Sequence, residues 1–160
     1  MNDFVDITAA NCQKYLEQIL EIENVSFPSP WSLNSFLQEV KNPISHLLAL
    51  IASQHLSAYI CFWLFASEIQ VLNIAVHPER RSQGLGKTLL SKMIEEGIAK
   101  GMQTIWLEVR ESNRAAKSLY EKLGFKAINH RRKYYRDTDE DALIMALRLS
   151  TREDCPGVLN

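Results

Sequence analysis

The segment Leu72–Thr88, L-N-I-A-V-H-P-E-R-R-S-Q-G-L-G-K-T, constrains this chain more than any other stretch. An apolar strand through Ile74, Ala75 and Val76 breaks at His77-Pro78, and a short basic loop carrying Gly84 and Gly86 follows. Apolar residues then recur at Leu85, Leu89, Leu90, Met93, Ile94 and Ile98, the period of an amphipathic helix. A strand-to-helix turn of this kind aims free backbone N–H groups and the positive end of the helix dipole at one point. It predicts an anion site, most naturally one for phosphate. Spacing separates the motifs that compete for these residues. Gly86-Lys87-Thr88 supplies the end of a Walker A loop, but the required first glycine falls on Arg81. Gly84 and Gly86 begin a dinucleotide fingerprint whose third glycine position is Leu89. The pattern [RQ]-x-x-G-x-[GA] is met in full by Arg81, Gly84 and Gly86. An ordinary strand-to-helix turn that needs glycines is the plain alternative.

A second segment, Thr104 to Phe125, reads T-I-W-L-E-V-R-E-S-N-R-A-A-K-S-L-Y-E-K-L-G-F. A strand over Ile105–Val109 leads through Ser112-Asn113 into a helix bearing Ala115, Ala116, Leu119, Tyr120 and Leu123. Gly124 stands in the position after the helix where a left-handed residue is wanted. Taken together, the glycine-loop helix, the strand, the N-x₆-Y helix and the closing Gly-Phe resemble the GCN5-related N-acetyltransferases (GNAT). In that family the glycine loop takes the acetyl-CoA pyrophosphate, an Asn opens the second helix, and a Tyr on it reaches the cofactor sulfur.

Further matches narrow the resemblance. Phe27-Pro28 with Pro30-Trp31-Ser32 and Phe36, the run Trp106–Arg110, Arg131-Arg132 with Tyr134-Tyr135, and Glu140–Met145 are similar to the ribosomal-protein-alanine N-acetyltransferases, the RimI type. These matches span roughly Phe27 to Leu147. One departure is Ser82, where relatives often carry Arg or Gly; its hydroxyl and amide still suit phosphate. The resemblance implies an α/β GNAT fold, a mixed central sheet of about seven strands flanked by about four helices. It also implies an acetyl-CoA-dependent enzyme that acetylates the N-terminal residue of a ribosomal protein, an alanine above all. Other peptide, lysine or small-amine substrates are the alternative, and a non-catalytic CoA-binding module is a third reading. Retention of both Glu108 and Tyr120 argues against the last.

The rest of the chain agrees. At 160 residues, 46% hydrophobic and 23% charged, it suits one globular domain, expected over residues 1–149 with a loose tail from 150 to 160. No apolar run reaches the length of a membrane helix, and the acidic start M-N-D-F-V-D lacks a basic signal-peptide opening. Cys12, Cys61 and Cys155 are an odd count without metal spacing, so neither disulfides nor a metal site is expected, and a cytoplasmic location fits. The net charge of −1 hides an asymmetry: from Arg80 to Arg136 the chain holds 14 Lys/Arg against 5 Asp/Glu. That half contains both motifs, and its field favours a polyanionic cofactor. Stacking aromatics do not interleave its basic residues outside Tyr134-Tyr135, which argues against direct nucleic-acid binding.

Periodicity and turn residues predict strands at 3–8, 46–53, 57–66, 69–76, 103–109, 125–135 and 142–149. Helices are expected over Ala10–Asn24, after a Ser32 cap, from Leu85 towards Gly101, and over 113–122. The sheet is expected to be antiparallel early and parallel between the two motif strands.

The resemblance assigns roles residue by residue. Backbone groups of Ile74, Ala75 and Val76 hold the pantetheine arm, and the Val76 amide polarises the thioester carbonyl. Arg81, Ser82, Gln83, Gly84, Leu85, Gly86, Lys87 and Thr88 bind the pyrophosphate, and Asn113 fixes the arm from the other side. Glu108 is the general base and Tyr120 the general acid. An α-amine, with a reference pKa of about 7.7–8.0, is roughly a tenth neutral at pH 7, so a carboxylate acting through water needs only modest help. Trp31, Tyr134 and Tyr135 border the substrate. The acidic stretch Asp137–Asp141 is expected to draw a cationic N-terminus or to be a solvated hairpin tip. His77 is tempting as a base, but a residue before proline at a strand end is more often structural. Cys61 is expected to be buried and inert.

Overall fold

The computed structural model describes residues 2–150. In chain order the elements are β1 (Asn2–Ile7), α1 (Cys12–Ser26), α2 (Leu33–Lys41), β2 (Ser45–Ala52), β3 (His55–Phe65) and β4 (Glu68–Val76). A single 3₁₀ turn at Pro78–Arg80 precedes α3 (Leu85–Ala99), β5 (Thr104–Arg110), α4 (Arg114–Lys122), β6 (Lys126–Tyr135) and β7 (Glu140–Arg148). The strands form one seven-stranded sheet in the order β1-β2-β3-β4-β5-β7-β6. This is the expected mixed α/β architecture, with the early antiparallel half and the parallel β4–β5 pair where the sequence puts them. The element boundaries differ from those expected by only a few residues; the added element among the described residues is the 3₁₀ turn, where Pro78 sets φ for the first turn and His77 Nδ1 accepts from the Glu79 amide at 3.2 Å.

The chain divides into two compact units, residues 1–64 with 71–90, and residues 65–70 with 91 onward. In the first unit β1 pairs with β2 and β2 with β3, all antiparallel. Its core gathers Leu16, Ile19 and Ile22 from one stripe of α1, Phe36 from α2, and Leu47, Ala49, Tyr59 and Cys61 from the sheet. Those α1 positions recur every three to four residues, so one face of the helix is buried and the other is left to Lys14, Glu17 and Glu21. Ser32 caps α2 as expected, its Oγ accepting from the Ser35 amide at 3.1 Å. The Cys61 thiol is fully buried and burial pushes its pKa up to about 12, so it stays a protonated apolar side chain.

In the second unit β4 pairs in parallel with β5 over Glu68–Gln70 against Thr104–Trp106, and this register ends at Gln70. β7 lies between β5 and β6 and is antiparallel to both. Alternation along β5 buries Ile105, Leu107 and Val109 and leaves Trp106, Glu108 and Arg110 together on the opposite face. The α4 C-terminus closes in a Schellman turn: the Phe125 amide donates to the Tyr120 carbonyl at 3.0 Å, and Gly124 takes φ +98°. That turn places Phe125, buried, at the start of β6. Of the proposed tail, residues 151–160 and with them Cys155 lie outside the described residues. Among the described residues no helix is long and apolar enough to cross a membrane.

Candidate active site

The glycine loop belongs to the first unit. Ser82 and Gly84 both take left-handed backbone, φ +62° and +79°, which reverses the chain between the 3₁₀ turn and α3. Thr88 is the first residue of α3 whose amide reaches a helix carbonyl, that of Gly84 at 3.0 Å, and its Oγ1 donates to the same oxygen at 3.0 Å. The amides of Leu85, Gly86 and Lys87 ahead of it are the orphan donors of a helix N-terminus. Consecutive amides, a helix dipole and no acidic residue in the first turn of α3 are what an anion would need there. Arg81 is placed differently from the neighbours it was grouped with. Its Nε donates to the Val76 carbonyl at 3.1 Å and its Nη2 to Ser26 Oγ at 3.1 Å, so the guanidinium ties the loop to the end of β4 and to α1. Ile74, Ala75 and Val76 end β4, with Ala75 buried and its two neighbours half-buried.

The Trp31 loop lies in the same unit. The Trp31 amide donates to Glu23 Oε1 at 2.9 Å, and its ring meets Phe36 at 5.2 Å between centroids. Sequence reasoning passed over Glu23, which is 1% exposed. The signal available was its position: it continues the buried stripe of Leu16, Ile19 and Ile22, where a carboxylate has no solvent to face.

The second unit assembles the proposed catalytic residues. Glu108 keeps 20% of its side chain exposed, and its Oε1 lies 3.3 Å from Arg131 Nη1. Tyr134 hydrogen-bonds to Glu108, which raises the pKa of its phenol. Tyr135 is pushed up to about 12, by burial first and by the Glu108 charge second. Neighbouring strand residues ordinarily point to opposite faces. Here the β6–β7 register shifts between Arg131 and Tyr135, and Lys133 takes φ +49° with its amide bonded to Asp141 Oδ1 at 2.9 Å. This bulge breaks the alternation and brings Arg131, Tyr134 and Tyr135 to one carboxylate. The two tyrosine rings meet edge-on at 5.2 Å.

Tyr120 projects from α4 and is 5% exposed, packed on Phe125 at 5.8 Å. Burial, with a smaller contribution from Tyr135, pushes its pKa up to about 12, so its phenol holds its proton through the neutral range. Asn113 is the N-cap of α4: its Oδ1 accepts from the Ala116 amide at 3.2 Å, which leaves the Nδ2 protons for another partner.

The acidic stretch, expected either to draw a cationic N-terminus or to be a solvated hairpin tip, has two of its acids held by an arginine. Arg110 grips it, with Nη1 and Nη2 on Asp137 at 2.9 and 2.7 Å, and Nη1 also on Thr138 Oγ1 and Glu140 Oε2 at 2.9 and 3.2 Å. The same guanidinium lies 4.0 Å over the Tyr135 ring. Arg110 thus fixes the hairpin tip to the strand that carries Glu108, a role the sequence did not disclose because its partners lie 27 and 30 residues away. His77 caps the 3₁₀ turn, which supports a structural role for it.

Comparison with known proteins agrees with this geometry. Residues 16–125 match the Acetyltransferase (GNAT) family. The chain is 41% identical over 133 residues to the ribosomal protein bS18-alanine N-acetyltransferase of Escherichia coli (strain K12), covering 81% of this chain and 88% of that protein. It is 39% identical over 132 residues to the enzyme of the same name from Salmonella typhimurium (strain LT2), covering 81% and 88%. The crystal structure of the ribosomal-protein-S18-alanine N-acetyltransferase from Escherichia coli superposes with a TM-score of 0.85 at 36% identity, covering 94% of this chain and 96% of that one. A more distant neighbour, the NatC complex bound to Gag peptide and CoA, shares the fold at a TM-score of 0.82 and 18% identity. The chain belongs to the GNAT family of acetyltransferases and is an acetyl-CoA-dependent N-acetyltransferase.

Proposed function

We propose that this protein acetylates the N-terminal alanine of ribosomal protein bS18, in the cytoplasm, and that residues 1–149 form one acetyltransferase domain. The observation that carries the reading is Glu108: a strand-borne carboxylate, one-fifth exposed and oriented by Arg131 and Tyr134, in a chain 41% identical to enzymes named for that activity.

Acetyl-CoA supplies the activated acyl group, and the residues present suit it. The orphan amides of Leu85–Lys87 and the left-handed turn at Ser82 and Gly84 fit a pyrophosphate, with Gln83 and Thr88 completing the loop. Backbone groups of Ile74, Ala75 and Val76 bind the pantetheine arm, which the end of the β4–β5 register at Gln70 supports. The Val76 carbonyl is taken by Arg81, so the Val76 amide is the group left to polarise the thioester carbonyl. Asn113 Nδ2 holds the arm. Glu108 takes the proton of the incoming α-amine, directly or through water, and Tyr120 gives its phenolic proton to the departing thiolate. Trp31, Tyr134 and Tyr135 border the peptide's first residues.

A thiol-release assay with acetyl-CoA and a panel of peptides tests the proposal. A peptide with the N-terminal sequence of bS18 is expected to be the best substrate, and no release above background with it would overturn the assignment. Calorimetry tests the loop separately: Gly86→Val puts a β-branched side chain between the amides and the phosphates, and unchanged acetyl-CoA affinity would remove the loop from the site.

A further inference from the structure

A buried carboxylate is costly unless hydrogen bonds replace its water. Glu23 accepts such bonds from three separate parts of the first unit. Its Oε1 accepts from the Trp31 amide at 2.9 Å, and its Oε2 accepts from Asn73 Nδ2 at 2.8 Å and from the Tyr59 hydroxyl. All of this is removed from solvent: Glu23 is 1% exposed, Tyr59 fully buried and Asn73 8% exposed. Burial and the bond to Glu23 raise the Tyr59 pKa, so the hydroxyl is a permanent donor.

The aromatic contacts close the arrangement into a ring. Trp31 packs on Phe36 at 5.2 Å, Phe36 meets Tyr59 edge-on at 5.9 Å, and Tyr59 returns to Glu23. Trp31 is therefore held twice, by its amide through Glu23 and by its indole through Phe36. Asn73 sits on β4 immediately before Ile74. An amide at position 23 could not serve both ends of this arrangement. It has one acceptor oxygen, so satisfying Asn73 and Tyr59 would turn its NH₂ towards the Trp31 N–H.

We propose that Glu23 is a positioning residue for peptide recognition: it latches the Trp31 loop to β4, fixing the wall against which the substrate's first residue is placed. The inference rests on the reading of Trp31 as a substrate-bordering residue. Glu23 touches neither reacting atom and acts only through Trp31.

The test is a double-mutant cycle on Glu23→Gln and Trp31→Ala, with KM for a bS18-like peptide, KM for acetyl-CoA and kcat measured in each. Leaving the part-buried Trp31 N–H unpartnered is expected to raise the peptide KM about tenfold in Glu23→Gln, with kcat and the acetyl-CoA KM within about twofold. In the Trp31→Ala background the same substitution is expected to add nothing. Unchanged peptide KM in Glu23→Gln while Trp31→Ala raises it would overturn the latch and leave the Trp31 wall standing. Unchanged peptide KM in Trp31→Ala would overturn the wall reading and the latch with it. Additive effects, or equal losses in all three parameters, would make Glu23 a structural residue only. If Glu23→Gln does not fold, Asn73→Ala replaces it in the cycle. It removes the β4 end of the latch and keeps the Glu23 bonds to Trp31 and Tyr59, and the same outcomes decide.

Discussion

Arg131 Nη1 lies 3.3 Å from Glu108 Oε1, and the pair is completed by a hydrogen bond from Tyr134. A carboxylate offers about four acceptor sites, so this grip orients Glu108 and still leaves lone pairs for an amine or a water. Replacing Glu108 by Gln keeps the shape and removes the proposed base. Turnover is expected to fall about 10²–10⁴-fold near pH 7. The loss should shrink as pH rises through the α-amine range of about 7.7–8.0, where the substrate arrives already neutral. A pH–rate profile of Glu108→Gln checks this, and wild-type turnover at pH 7 would remove Glu108 from the mechanism.

Tyr120 is suited to the opposite task. With its pKa pushed up to about 12, the phenol is a proton donor at every pH the enzyme meets. Tyr120→Phe is expected to cost about 10²–10⁴-fold in kcat with acetyl-CoA affinity nearly unchanged. The same shift has a stability signature. The folded state holds this proton more tightly than the unfolded chain, whose Tyr titrates near 10.0, so the contribution is complete below pH 10 and is lost as pH rises towards 12. Urea denaturation at pH 9 and pH 11.5 should show a smaller alkaline loss in Tyr120→Phe, by up to about 2 kcal/mol. Tyr59 and Tyr135, also raised, keep the remainder.

What the sequence disclosed was whatever local pattern controls. The glycine loop, the Asn113 and Ser32 caps, the Gly124 stop and the alternation along β5 each depend on residues within one turn or one strand, and each stands where periodicity put it. What it did not disclose was carried by pairs far apart in the chain. Glu23 meets Asn73 across 50 residues, Arg110 meets Asp137 across 27, and Arg81 meets Ser26 across 55. A buried Glu reads as one more polar helix residue until its donors are known. The acids after Tyr135 read as a free anionic tip until Arg110 is seen to hold two of them.

Gly124 gives a stability prediction independent of chemistry. At φ +98° any other L-residue is strained, and a Cβ there would stand 3.3 Å from Leu147 Cδ1. Gly124→Ala is expected to cost about 1–2 kcal/mol, or roughly 2–8 °C in Tm for a chain of this size. Scanning calorimetry checks it. Because the turn also sets the path from Tyr120 to Phe125, kcat should fall more than acetyl-CoA affinity.

Substrate choice is the prediction with the widest consequence. A lysine ε-amine, with a reference pKa of about 10.4, is roughly 300-fold less deprotonated than an α-amine at neutral pH. If Glu108 is the base, acting on an amine already part neutral, N-termini are favoured before any contact selects them. On the proposed reading of Trp31, held by Glu23 and Phe36, and of Tyr134, 44% exposed beside Glu108, as substrate-bordering residues, a small first residue is expected to be preferred. Mass spectrometry of peptides carrying both an N-terminal and an internal lysine amine should find acetyl groups on the α-amine alone, with Ala first preferred over Leu or Phe first. Trp31→Ala and Tyr134→Ala should narrow that preference by admitting bulkier residues. Acetylation mainly at internal lysines, or equal rates for Ala and Phe, would overturn the N-terminal alanine assignment and leave the acetyltransferase itself intact.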